Sequence, residues 1–178
     1  MVKAPDGRLA DVIAPQLSVL FCGINPGLTA VASGHNFAGR SNRFWRAIHL
    51  AGFTPQQLAP QDEQMLLGYG CGVTAVVERP TAGADELSHQ DFAAAAAGFE
   101  RKIAHYRPRY VAFLGKPAWS ALSGQRRIAW GAQPDAFAGS AVWVLPNPSG
   151  RNLAFTLDAL VAAYRDLRTA AFPGGATA

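Results

Sequence analysis

At 178 residues, with 49% hydrophobic and 16% charged residues, the chain suits one domain and has the composition of a globular protein, which excludes intrinsic disorder. A formal charge of +4 and a pI near 9.4 lean towards an anionic partner by a modest excess. Met1 to Asp11 lacks the apolar core of a signal peptide, and no stretch approaches the roughly 20 apolar residues that cross a bilayer, so a cytoplasmic protein is expected.

Residues 1–16 read as a loosely held leader with a short docking segment at its end. Leu17 to Phe21 is a nearly continuous apolar run, as in a parallel strand buried on both faces. Gly23-Ile24-Asn25-Pro26-Gly27 then forms a tight turn and delivers Asn25 beyond the strand's carboxyl end, where open α/β sheets bind ligands. Leu28 to Ser41 is a long polar loop around Phe37, of a length that is usually functional or mobile. Ser41 or Asn42 can cap the next helix, in which Phe44, Trp45, Ile48 and Ala51 share a face and which Gly52 closes. Residues 56–68 read as another helix, Cys71 to Val77 as a strand, and Glu78 to Leu87 as a polar loop. Ser88-His89-Gln90-Asp91 resembles a capping box, opening a helix through Phe92, Phe99, Ile103 and Tyr106. Tyr110 to Leu114 is a buried strand ended by Gly115, and Pro117 to about Leu122 a short helix. Residues 123–140 read as irregular, Ala141 to Leu145 as the last strand, Phe155 to Arg168 as the final helix, and 172–178 as a frayed tail. This alternation predicts one α/β domain over residues 1–178, with a core at about 12–168: a three-layer α/β/α arrangement around a mostly parallel sheet.

Asn147, in Pro146-Asn147-Pro148-Ser149-Gly150, repeats the pattern of Asn25 at a second strand end, which suggests one cleft built from both turns. Asn-Pro-Gly is also ordinary turn chemistry. As a functional group an amide is no general base at neutral pH, but it orients water and donates hydrogen bonds. That suits a cationic transition state with a good leaving group. Phe37 is either a lid over the core or a stacking platform for a flat ligand. Arg151 is either a solvated surface group or one that reaches DNA phosphate. Cys22 and Cys71 lie in apolar surroundings and are expected to be buried free thiols. His35, His49, His89 and His105 have no ligand spacing, and no Cys-x-x-Cys, phosphate loop or Gly-x-Gly-x-x-Gly occurs, so neither a metal nor a cofactor is expected.

Gly23-Ile24-Asn25-Pro26-Gly27, Asn42-Arg43-Phe44-Trp45, Cys71-Gly72-Val73-Thr74 with Glu78-Arg79-Pro80-Thr81, and Asn147-Pro148-Ser149-Gly150 together resemble the mismatch-specific uracil/thymine-DNA glycosylase family. The four motifs fall in order over about residues 12–168. The resemblance implies a monofunctional base-excision enzyme with a uracil-DNA-glycosylase-like α/β/α fold, working without metal or cofactor and able to act as a monomer. Its partner would be double-stranded DNA containing uracil or a mismatch. It would flip uracil, or thymine, out of a mismatch with guanine and hydrolyse the N-glycosidic bond to leave an abasic site. Asn25 matches the residue that positions the attacking water, Gly23 and Ile24 line the base pocket, Phe37 matches the aromatic that stacks on the flipped base, and Asn147 stands at the pocket mouth. Ser149, Gly150, Arg151, Asn152 and Leu153 match the wedge that fills the vacated space. Arg40, Arg43, Lys116 and Arg151 are candidates for phosphate.

Two departures stand out. Where bacterial members place Leu at the wedge tip, this chain has Arg151-Asn152-Leu153, which puts Arg151 in the wedge position. Where they carry Lys after Cys-Gly-Val-Thr, this chain has Ala75, while the loop after Arg79 offers Asp85 and Glu86. A carboxylate there can activate water as a true general base, so Asp85 is a second catalytic candidate beside its plain alternative, an exposed loop acid. Two other classes stay open: a module that binds mismatched or damaged bases without excising them, and an α/β enzyme of free nucleosides.

Overall fold

Strand β1 (Val19–Gly23) sends Val19 and Phe21 to one face of the sheet and Leu20 and Cys22 to the other, and all four are fully buried. A strand apolar on both faces has to lie inside a sheet covered on both sides. The structure, a computed structural model, describes residues 8–175. Its elements run β1, α1 (Leu28–Ser33), α2 (Phe44–Leu50), a 3-10 helix (Pro60–Tyr69), β2 (Cys71–Ala75), a 3-10 turn (Ala84–Glu86), α3 (His89–Tyr106), β3 (Tyr110–Leu114), α4 (Lys116–Ser123), β4 (Gly131–Phe137), β5 (Ser140–Leu145) and α5 (Leu157–Ala171).

The sheet order is β2-β1-β3-β5-β4; only the edge pair β4–β5 is antiparallel. Helices α2 and α5 cover one face, where Phe44, Ile48, Leu160, Tyr164 and Leu167 pack against Phe21, Val73, Ala112 and Leu145. Helices α3 and α4 cover the other, where Phe99, Ile103 and Trp119 pack against Leu20, Val111, Phe113 and Val144. This is the expected three-layer α/β/α architecture with a mostly parallel sheet. The chain leaves β1 for β2 on one side and later places β3 on the other, so the end of β1 is a switch point of the sheet.

Three local expectations need correcting. The loop at 28–41 begins with the helix α1, which is flanked by Gly27 and Gly34 and has only six residues, too few to show a period. The irregular stretch at 123–140 contains β4, an exposed edge strand whose pairing with β5 is interrupted between Ala132 and Ala136. Pro134 falls inside that break, where a missing N–H costs no ladder bond. The helix expected at 56–68 is a 3-10 helix over Pro60–Tyr69. The end of the leader docks as expected: Val12 exchanges backbone hydrogen bonds with Val73 at 2.9 and 2.8 Å. Of the tail, Phe172 packs edge-on against Phe53, while 176–178, like residues 1–7 of the leader, lie outside the described residues.

The two thiols belong to opposite faces, Cys71 to the α2/α5 side and Cys22 to the α3/α4 side, and both are free. No helix among the described residues is long and apolar enough to cross a membrane.

Candidate active site

A cleft of about 460 Å³ opens at the carboxyl ends of β1, β3 and β5. Its wall includes Gly23, Ile24, Asn25, Phe37, Thr74, Thr81, Asn147 and Arg151, so the two Asn turns do meet. The volume lies in the usual range for a small-ligand site.

The turn after β1 is zipped to the segment after β2. Val76 and Val77 N–H donate to Gly23 O and Ile24 O at 2.9 and 3.0 Å, and Thr81 N–H donates to Pro26 O at 3.2 Å. Asn25 is thereby held with one defined amide orientation. Its Nδ2 donates to Arg79 O at 2.8 Å and to Thr81 Oγ1 at 2.7 Å. A carbonyl oxygen only accepts, and the Thr81 hydroxyl spends its proton on Gly83 O at 2.7 Å, so both partners need the nitrogen of the amide. Among the described residues no donor reaches the acceptor Oδ1, and Asn25 lines the cleft. Arg79 is itself anchored: its guanidinium takes Asp91 in a two-point grip, Nε and Nη2 each at 3.1 Å. Asp91 also caps α3 with Ser88, and the Arg79 guanidinium, followed by the Ser88 backbone N–H, holds its carboxyl well below the usual carboxylate range.

Asn147 shows the opposite polarity. Its Oδ1 accepts from Ser149 N–H at 2.9 Å, leaving Nδ2 as the available donor. The cleft thus presents an acceptor from Asn25 and a donor from Asn147. Behind Asn147, the Tyr164 hydroxyl donates to Pro146 O at 3.1 Å; burial pushes that hydroxyl well above the usual tyrosine range, so it stays a donor. Residues 148–155 are pinned by Arg43. Its side chain donates to Pro148 O (3.3 Å), Ser149 O (2.8 Å), Asn152 O (2.9 Å) and Phe155 O (2.6 Å). Arg43, expected at phosphate, is directed inward at the loop.

Gly150 rests on Ser41, where a Cβ would come within 2.5 Å of Ser41 Cβ and 2.7 Å of its carbonyl oxygen; only glycine fits there. Arg151 reaches across the mouth to Gly83, where an added Cβ would meet its Nη1 at 2.6 Å. Asn152 folds back to donate to Asn147 O at 2.9 Å. Leu153 is 90% exposed and is the apolar group the loop projects.

Phe37 stacks on Phe44 with centroids 4.1 Å apart and covers Gly23. Its φ is +54°, a left-handed value that an aromatic residue adopts only when its surroundings impose it. The residue before it, Asn36, is held by Glu63, a buried acid that sequence reasoning missed. Glu63 accepts from Asn36 N–H and Asn36 Nδ2, each at 2.9 Å, and lies 3.3 Å from His35 Nδ1. The carbonyl of Asn36 accepts from Trp45 Nε1 at 3.1 Å, completing the frame.

Asp11 was also missed. It lines the cleft, yet both oxygens are engaged: Thr74 Oγ1 donates to one and Lys102 Nζ pairs with the other, each at 2.7 Å. Asp85 stands exposed on the rim, in the 3-10 turn; Gly83 and Ala84 beside it line the cleft and Asp85 does not. Neither Asp11 nor Glu63 carried a sequence signal, because their partners are distant in the chain.

The family model of the Uracil DNA glycosylase superfamily matches residues 10–168. In fold, the chain is similar to the solution NMR structure of a Methanosarcina acetivorans protein provisionally described as a uracil DNA glycosylase. The TM-score is 0.61 at 20% identity, over 90% of this chain and 97% of the other. At that identity the likeness speaks for the fold alone.

Proposed function

The chain belongs to the uracil DNA glycosylase superfamily, and from that premise we propose that it excises uracil from duplex DNA, preferring uracil, and accepting thymine, mispaired with guanine. One observation carries the proposal: Asn25 lines the cleft with its amide nitrogen committed to Arg79 O and Thr81 Oγ1, which leaves Oδ1 as the available acceptor. The flipped base stacks on Phe37, with unstacking easiest at a mismatch. Asn147 Nδ2 donates to the base, and Leu153 enters the space the base leaves. The bond between C1′ and the base nitrogen breaks with its electron pair leaving on the base. A water held by Asn25 Oδ1 then bonds to C1′ and gives up a proton to solvent or to the departing base. Asn25 orients this water without deprotonating it, so its contribution is placement.

The test is single-turnover release of base from uracil opposite guanine, uracil opposite adenine, thymine opposite guanine, and single-stranded uracil. Asn25→Ala is expected to slow release by about 10²-fold or more at near-unchanged duplex affinity. Equal release from every context refutes the mismatch preference while keeping uracil excision. Tight mismatch binding with no release from any substrate replaces the enzyme with a binding module. A loss of about 10²–10⁴-fold in Asp85→Asn moves water activation from the amide to that carboxylate.

A further inference from the structure

Beside the wedge loop lies a second concave surface, of about 620 Å³, that the excision chemistry does not use. Its cations are Lys116, at the start of α4, and Arg126 and Arg127 in the segment leading to β4. Between Gly115 and Pro134 the sequence has these three cations and no Asp or Glu. Among the described residues no carboxylate pairs with any of the three; the nearest acid in sequence, Asp135, accepts from Gln125 Nε2 at 2.6 Å. Trp130, 43% exposed, carries Lys116 Nζ over its ring at 4.3 Å and meets the Phe155 ring edge-on at 5.3 Å.

The fold sets this surface on the same edge as the cleft. Antiparallel pairing of Gly131 with Val144 brings residues 126–130 to the carboxyl end of β5, the end from which Asn147 emerges. Gly115, just before Lys116, packs between Ile24 and Asn147, where a Cβ would lie 3.5 and 3.8 Å from their side chains. Phe155 closes the segment that Arg43 pins. The shelf and the wedge therefore lie at the same end of the sheet, linked by the Trp130–Phe155 contact, and no carboxylate among the described residues neutralises the shelf's cations.

Resting on the excision reading above, we propose that Lys116, Arg126 and Arg127 bind the phosphates of the duplex on one side of the flipped nucleotide, with Trp130 holding the Lys116 ammonium in place. Two exposed arginines and a half-buried lysine beside an aromatic face, with no acid in the stretch between Gly115 and Pro134, fit a polyanionic backbone.

The experiment measures the salt dependence of affinity for a uracil-containing duplex, for wild type and for Lys116→Gln/Arg126→Gln/Arg127→Gln. Each lost phosphate contact removes about 0.9 from the slope of log affinity on log salt, so three contacts make the variant about 40-fold less sensitive to a fourfold rise in salt. Two shortened duplexes, one trimmed on each side of the uracil, locate the contact: the slope difference is expected to disappear for one and persist for the other. An unchanged slope, or a difference that persists on both shortened duplexes, overturns the assignment. Arg126→Gln/Arg127→Gln, which leaves the Lys116–Trp130 contact in place, must show about two-thirds of the effect. Wild-type uracil release is established first on the full-length duplex. Its absence removes the excision reading and this inference together, whereas release with an unchanged slope removes this inference alone.

Discussion

Replacing Arg43 separates two roles for one residue. Its guanidinium donates to four carbonyls between Pro148 and Phe155, and so holds the loop that carries both Asn147 and Leu153. Hydrogen bonds from a charged donor are each worth about 1.5–3 kcal/mol when a partner is removed. The four are not additive, and water recovers part of the loss at a half-buried loop, so Arg43→Ala is expected to cost about 3 kcal/mol. For a chain of this size that lowers Tm by about 6–12 °C. Arg43→Lys keeps the charge but not the planar fork, and is expected to lose about half as much. The assays are thermal unfolding, hydrogen exchange of amides 149–155, and DNA affinity against salt. The clamp predicts a lower Tm, faster exchange in that loop, and an unchanged salt slope. A slope reduced by about 1, with Tm and exchange as in wild type, refutes it and returns Arg43 to the phosphate.

Other substitutions read the remaining supports. Thr81→Val keeps the volume but removes the second acceptor of Asn25, and is expected to slow single-turnover release about 10-fold with little change in duplex affinity; an equal rate shows that Arg79 O suffices. Glu63→Ala strands two buried Asn36 donors and frees the Phe37 backbone, for a loss of about 3 kcal/mol by thermal unfolding together with weaker stacking on the base; unchanged Tm excludes Glu63 as the anchor. Asp91 is depressed in the folded protein, so its stabilisation is complete above the unfolded carboxylate value of about 3.9 and is lost as pH falls through the folded value. Asp91→Ala is therefore expected to melt below wild type at pH 7 and to converge on it towards pH 2; a gap that stays constant with pH contradicts this. Burial pushes the Cys71 thiol up to about 12 and the Cys22 thiol well above the usual range. Neither is expected to react with a maleimide at pH 7.5 until the chain unfolds, and rapid labelling of the native protein would contradict their burial.

The parts of this site that were legible in the sequence are those written locally. The apolar run before Gly23 and the Asn-Pro-Gly and Pro-Asn-Pro turns each specify their own backbone, and parallel pairing then brings their ends together. The capping box at Ser88 is equally local and forms as expected. What stayed hidden is held by partners far away in the chain. Arg43 bonds the 148–155 segment across 105 or more residues, and Glu63 bonds Asn36 across 27. Tyr164 looks like one more apolar position on the face of α5, and only the tertiary structure shows its hydroxyl under Pro146. Strand β4 was hidden for another reason. Exposed along most of its length and interrupted at Pro134, it has neither the alternation nor the composition of a buried strand.

The acids around the cleft share one feature that bears on mechanism. Asp11 is neutralised by Lys102 and Thr74, Glu63 is turned away into the frame behind Phe37, Asp91 is gripped by Arg79, and Asp85 stands on the rim. Among the groups that line the cleft are the amides of Asn25 and Asn147. A carboxylate beside the departing base would repel the negative charge that develops there, whereas an amide donor stabilises it. An amide acceptor on the other side can hold water in line with C1′ without adding charge near the base. On the proposed reaction, withdrawal of the acids and the opposed polarity of the two amides therefore meet a single requirement: the bond must break towards an anion before the water attacks. The Arg79–Asp91 and Arg43 anchors serve that same requirement from outside, because each fixes the polarity of an amide it does not touch through its side chain.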